Sequence, residues 1–312
     1  MSSPVFVCGA TGTQGGHVAR HLRKAGIPVH ALVRDPLSPQ SKALEAIGVT
    51  IFPGSWDDKD ALTPALEGTE SAFLNFIPSL ADPRKELRDA EAVLAVAKSS
   101  GVKHIVYSGI LGLEEAASSL SSNSEPNGIG LQIFQTKRDI LEAVVSAGFG
   151  SYTVLLVGKF MNDFYGNAVH WFGDLSKTGV FETALLEGEG IPFVDPDDIG
   201  AFGAAALLDP KKFAGQSVEV YTEMLAPEKA IAMLSEALGK KMSVRFMSEE
   251  EVDEKRKADV FIMAQVAMRE LAKLDSMDRV RSWGVPVGSF GNFLERERAV
   301  LEETYALLPD VE

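Results

Sequence analysis

The 312-residue chain has a single cysteine, Cys8, so it can form neither an internal disulfide nor a thiolate metal cluster. Its five histidines, His17, His21, His30, His104 and His170, lack H-E-x-x-H spacing, which leaves no sequence signature of a metal-dependent hydrolase and no metal assignment. A G-x-S-x-G elbow for a serine nucleophile is also missing. Lysine and arginine total 30 against 44 aspartates and glutamates, and the net charge of -14 argues against nucleic-acid binding, which draws on basic surface to release counterions. No apolar run approaches the roughly 20 residues needed to span a bilayer. The opening Met-Ser-Ser-Pro runs straight into a strand pattern without a charged leader or cleavage site, so a cytoplasmic location and no membrane association are expected. No internal repeat is apparent. What remains, 46% hydrophobic and 24% charged residues, describes an ordinary globular protein. The length suits one α/β domain with a substrate-side extension, or two small domains; we favour the first.

The most informative stretch runs from Pro4 to Arg34. Val5, Phe6 and Val7 form the short apolar run of a doubly buried parallel strand. Gly9, Gly12 and Gly15 then punctuate a turn before a helix whose inward face carries Val18, Leu22 and Ala25. Glycine suits these places because a side chain would block the tight turn, the approach of a pyrophosphate to backbone amides, or the packing of helix on strand. The helix start would aim free amides and a positive dipole end at that anion, so Gly9, Thr11, Gly12, Thr13, Gln14 and Gly15 are candidate cofactor contacts. A second strand ends in Arg34, where an acid would hold a ribose 2′-hydroxyl but a guanidinium can pair with a 2′-phosphate. NADP is therefore the expected cofactor. The spacing, G-x-x-G-x-x-G, resembles that of the extended and atypical branches of the short-chain dehydrogenase/reductase superfamily.

Further along, the segment from Arg34 to Leu74 resembles the NmrA-like family, relatives of the isoflavone-reductase-like group. The resemblance extends over roughly residues 4 to 305. It includes His104 to Gly109, the lysine of Phe134-Gln135-Thr136-Lys137, and Val194-Asp195-Pro196-Asp197-Asp198-Ile199-Gly200 opening an alanine-rich helix, where Asp197 or Asp198 reads as a cap. It implies a Rossmann-type doubly wound parallel sheet with a smaller α+β carboxyl-terminal substrate region, divided as a 1–157 NADP-binding core and a 158–312 substrate-side region partly interwoven with it. It also implies that Trp56 and Asp57 line the adenine pocket, although Ser55 stands where the family usually has aspartate. The loop Asn75, Phe76 and Ile77 would lie beside the nicotinamide ribose, with Ser108 at the neighbouring strand end.

Typical short-chain dehydrogenases use a tyrosine four residues before the active lysine to protonate a carbonyl oxygen. Ile133 occupies that position, so the usual general acid is missing. Lys137 matches the lysine that the NmrA-like and isoflavone-reductase-like groups keep; the resemblance makes it a ribose contact and the catalytic candidate. Phe160, Met161, Phe164 and Trp171, just past the sixth strand, are candidates for an apolar pocket over the nicotinamide, with Phe160 also touching the cofactor. A hydrophobic core or a dimer contact would use the same residues. Two functions compete: an NADPH-dependent oxidoreductase that reduces a small conjugated, carbonyl or imine substrate, and a non-catalytic NADP(H)-sensing regulator that binds a protein partner. Arg84, Lys85 and Arg88 oppose the dipole of their own helix, which suits either a nearby phosphate or a solvated charged face. The serine-rich stretch 114–130 reads as a surface loop or a lid.

Overall fold

A computed structural model describes residues 2–79, 81–113, 129–274 and 277–311. Apolar runs become β1 (Val5–Val7), β2 (Val29–Val33), β3 (Thr50–Pro53), β4 (Ser71–Leu74), β5 (His104–Ile110) and β6 (Ser151–Val157). Between them lie α1 (Thr13–Lys24), α2 (Pro39–Ala46), α3 (Lys59–Leu66), α4 (Lys85–Ser99) and α5 (Ile129–Ser146). The remainder holds β7 (Lys159–Phe160), α6 (Leu175–Thr178), β8 (Val180–Thr183), β9 (Ile191–Val194), α7 (Pro196–Leu208), α8 (Pro210–Phe213), β10 (Gln216–Val220), β11 (Glu223–Leu225), α9 (Pro227–Leu238) and β12 (Ser243–Phe246). Five further helices follow: α10 (Glu249–Lys255), α11 (Val260–Met268), α12 (Met277–Ser282), α13 (Phe290–Arg296) and α14 (Arg298–Thr304).

The main sheet has seven strands in the order β10-β6-β5-β4-β1-β2-β3. Every pairing in it is parallel. Helices cover both faces, as parallel sheets require. On one face Val18 and Leu22 of α1 and Ile199 and Phe202 of α7 are fully buried. Leu62 and Leu66 of α3, Val93 of α4 and Ile140 of α5 close the other. Each such side chain taken from water contributes about 1.5–3 kcal/mol. The order in which strands join the sheet reverses between β1 and β4, whose carboxyl ends therefore frame the crevice where open parallel sheets bind ligands.

The carboxyl half does not stand apart from this sheet. β10 pairs with β6 over five registered positions, and α7 lies against α1. Gly200 and Gly203 permit that contact: a Cβ on Gly200 would come within 2.7 Å of His17 Cβ, and one on Gly203 within 2.7 Å of Val18 Cγ2. Outside the main sheet, β11-β9-β7 and β12-β8 form two small sheets around an aromatic core of Phe164, Phe172, Phe193 and Phe290.

Asp195, rather than Asp197 or Asp198, caps α7: its side chain accepts from the Asp197 amide at 2.9 Å, and Pro196 occupies the first turn. Asp197 instead receives His17 Nδ1 at 3.2 Å and His21 Nε2 at 3.0 Å, fastening α7 to α1. Asp198 turns inward to Thr222 Oγ1 at 2.5 Å and the Gly288 amide at 3.2 Å.

Two outcomes follow from this packing. Gly200→Ala should destabilise the protein by about 1–3 kcal/mol, as overpacking against backbone does, seen as a lower urea midpoint. Burial pushes the Asp198 carboxyl up to about 6 despite the opposing hydrogen bonds. A carboxyl raised on folding holds its proton better in the native state, so its stabilising contribution is complete below the ordinary value of 3.8 and is lost as pH rises through about 6. Thermal melts across that window should slope downward with pH, and Asp198→Asn should flatten the slope.

Candidate functional site

The turn after β1 owes its shape to two glycines. Gly9 has φ of +65°, a left-handed conformation that few other residues adopt readily, and its carbonyl accepts from the Gly12 amide at 2.9 Å. A Cβ on Gly15 would sit 2.5 Å from the Gly9 carbonyl oxygen and 2.6 Å from that of Cys8. Only glycine lets α1 start this close to the end of β1. Gly12 is the N-cap, no side chain caps the helix, and its first turn carries no acid. Exposed Thr11, Gly12 and Thr13 therefore surround a helix start whose amides and dipole are available to an anion.

Gln14 crosses the crevice from this turn. Its Nε2 donates to Asn75 Oδ1 at 3.2 Å, and its Oε1 accepts from Ser108 Oγ at 2.5 Å. The chain Ser108-Gln14-Asn75 thus ties the ends of β5 and β4 to the first turn of α1, with Asn75 and Ser108 both buried. Cys8 lies beneath, its thiol donating to the Asn75 carbonyl at 3.5 Å and pushed up to about 12 by burial. It behaves as a core residue.

Arg34 ends β2 exposed, and among the described residues it has no ion-pair partner. On the same side, Trp56 meets Phe76 edge to face with centroids 5.4 Å apart. Ser55 donates to Asp57, and that bond holds the exposed Asp57 carboxyl below its ordinary range. Ser55 therefore anchors an acid two residues later. Ile77 is 66% exposed, an unusual apolar rim beside buried Phe76.

Lys137 does not lie on the outer face of its helix. It is 6% exposed, and Nζ donates to the Phe76 carbonyl at 3.1 Å and to the buried carboxylate of Glu86. Ile133, one turn earlier, is half-buried. Sequence reasoning did not single out Glu86. Its one available signal was an acid in the otherwise basic first turns of α4. The cations there are already paired: Arg84 with Asp139, Lys85 with Asp89 and Arg88 with Asp82.

Past β6, Phe160 is half-buried and ends β7 beside Val194. Met161 and Phe164 are fully buried and Trp171 is 8% exposed. Phe164 stacks on Phe172 with centroids 4.0 Å apart, so these side chains are occupied in core packing. Lys159, also unforeseen, places Nζ 3.8 Å from the centre of the Trp171 ring and pairs with Asp163. Burial lowers its amine to about 8. His170 is exposed. Most of the serine-rich stretch, 114–128, lies outside the described residues. Among the described residues no group of three or more His, Cys, Asp or Glu side chains could hold a metal ion, and no helix is long and apolar enough to cross a membrane.

A glycine turn feeding an uncapped helix, at the point where a parallel Rossmann-type sheet reverses, defines the class of dinucleotide-binding α/β proteins. More narrowly, the sequence profile of the NmrA-like family matches residues 1–281, and the chain belongs to that family. It is 30% identical to a (4-alkanoyl-5-oxo-2,5-dihydrofuran-3-yl)methyl phosphate reductase of Streptomyces griseus subsp. griseus, over 76% of this chain and 74% of the relative. An NAD(P)H azoreductase of Xenophilus azovorans is 28% identical over the same shares. The fold superposes on an NADPH-dependent quinone oxidoreductase of Escherichia coli with a TM-score of 0.72 at 21% identity, covering 94% of this chain and 99% of that one.

The Ser108-Gln14-Asn75 chain generates a direct expectation. Gln14→Leu removes both bonds and leaves Asn75 and Ser108 unpaired in a buried setting, a loss of about 1–3 kcal/mol. Urea denaturation should show it, while Gln14→Glu should still accept from Ser108 and lose less.

Proposed function

We propose that this protein is an NADPH-dependent reductase of a small conjugated, carbonyl or imine compound. The observation that carries the reading is the pairing of an uncapped, acid-free start of α1 with Arg34 one strand away, which has no ion-pair partner among the described residues. Such a pair suits a pyrophosphate and a 2′-phosphate together. The two curated relatives, one a reductase of a dihydrofuranone phosphate and one an NAD(P)H azoreductase, support the reaction class.

In this reading the amides from Gly9 to Gly15, with Thr11, Thr13 and Gln14, hold the pyrophosphate, and Arg34 takes the 2′-phosphate. Trp56 and Asp57 flank the adenine. Asn75, Phe76, Ile77, Ser108 and Lys137 hold the nicotinamide side, with Phe160 between cofactor and substrate. Bound NADPH supplies the hydride. The protein's own task is to orient the acceptor, exclude water and admit one proton. With Ile133 in place of a tyrosine, Lys137 or solvent provides that proton.

A second reading keeps NADP(H) binding without turnover, as a cofactor sensor for a protein partner or a second copy of the chain. The packing of Met161, Phe164 and Trp171 favours it, since three of the four side chains considered for a substrate pocket are spent inside the aromatic core. NADPH absorbance in the presence of quinones, enones, imines and azo dyes separates the two. Turnover with any of these classes supports the reductase, whereas tight NADPH binding with none turned over supports the sensor. For cofactor choice, Arg34→Ala should weaken NADPH about 10- to 100-fold, the worth of a charge-assisted contact. NADH binding should be nearly unchanged. Fluorescence titration measures both, and an unaltered NADPH preference would remove Arg34 from the site.

A further inference from the structure

Helix α4 carries Glu86 into the interior, where its side chain is 1% exposed. Oε1 accepts from Lys137 Nζ, while Oε2 has no hydrogen-bond partner among the described residues. The hydroxyl of Tyr107, on β5, is likewise buried and unpartnered. Burial pushes its pKa up, and the charge of Glu86 adds to the effect. The other charges nearby are committed to one another: Lys85 to Asp89 at 2.6 Å, and Arg84 to Asp139. Among the described residues, Glu86 is the one acid paired with Lys137.

A buried ion pair is weak evidence of a device for stability, because well-packed apolar residues commonly do as well or better. Native interiors also satisfy nearly all their buried polar atoms, so an orphaned carboxylate oxygen asks for an explanation. The ammonium group suggests one. Lys137 has three N–H donors. One goes to Glu86 and one to the Phe76 carbonyl at 3.1 Å. Among the described residues a single donor is left for a ligand, and the direction of the first two fixes where it points.

We propose that Glu86 is the positioning residue for Lys137, clamping its ammonium against the Phe76 carbonyl so that the remaining N–H is presented to a hydroxyl of the nicotinamide-side ribose. The inference rests on the dinucleotide reading above and adds to it the residue that makes Lys137 competent. Glu86 touches neither cofactor nor substrate in this scheme, so all its influence on binding passes through Lys137.

A double-mutant cycle tests that dependence. NADPH dissociation constants are measured by fluorescence titration for wild type, Glu86→Gln, Lys137→Met and the double variant, with circular dichroism as a check on folding. Glu86→Gln should weaken NADPH about tenfold on the wild-type background and less than about twofold once Lys137 is methionine, a coupling typical of residues in contact. Should Glu86→Gln fail to fold, Glu86→Asp takes its place in the cycle, because it withdraws the carboxylate while keeping its charge. Wild-type affinity in the Glu86 variant overturns the proposal, as does a loss of equal size on both backgrounds. Failure of the wild-type protein to bind NADPH overturns the dinucleotide reading instead, which keeps the two failures distinct.

Discussion

The structure depends on how closely one helix approaches one strand. Gly15 lies so near the carbonyls of Cys8 and Gly9 that any side chain would collide with backbone. That contact presses the start of α1 onto the end of β1 and leaves its first amides uncapped. The same helix is gripped along its flank by α7, its neighbour on that sheet face, again through glycines, at Gly200 and Gly203. A helix held between a strand and a second helix has little freedom to shift, so the anion-binding end is set before any ligand arrives. Preorganisation of this kind reduces the ordering cost of binding. The acidic balance makes it more necessary, since a net charge of -14 repels a phosphorylated ligand at long range.

The crevice is then unified by hydrogen bonds between residues far apart in the chain. Gln14 reaches Ser108 and Asn75, and Lys137 reaches the carbonyl of Phe76. Both links converge on the loop after β4, the first from the glycine turn and the second from α5. Displacement of that loop would break bonds on two sides at once. Each bond contributes only about 0.5–1.5 kcal/mol net. Their shared anchor nevertheless couples the glycine turn to α5 more tightly than either bond would alone.

Much of the fold was legible because local pattern and tertiary role agreed. Val5 to Val7, Ser71 to Leu74 and His104 to Tyr107 are short apolar runs, and all are strands buried between helix layers. β10 escaped notice because it is an edge strand, with only Val218 and Val220 buried among five residues. The cap of α7 was misplaced for a local reason. Three aspartates crowd that stretch, and only the position of Pro196 relative to the first turn singles out Asp195. The glycine turn after β1 and the place of Arg34 after β2 were legible from spacing, since strand, turn and helix are contiguous. The partnership of Glu86 with Lys137 was not, because 51 residues separate them and nothing local marks an acid that will be buried.

The aromatic segment after β6 illustrates a different limit. Phe160, Met161, Phe164 and Trp171 have the composition of a pocket wall, but a pocket wall and a core have the same composition. The distinction arises from what lies opposite. Here Phe290 and Phe293 return from near the end of the chain to cover Phe164 and Tyr165, and Lys159 supplies an ammonium over the Trp171 ring. A buried lysine is costly unless paired, and Asp163 with two aromatic faces offsets the cost. Lys159 and Phe160 are adjacent in an extended segment, so their side chains leave on opposite sides. The lysine is committed to the aromatic core, while half-buried Phe160 packs on the other side, against the core of the main sheet. Strand alternation at a two-residue strand therefore divides neighbouring residues between two cores, which composition alone does not reveal.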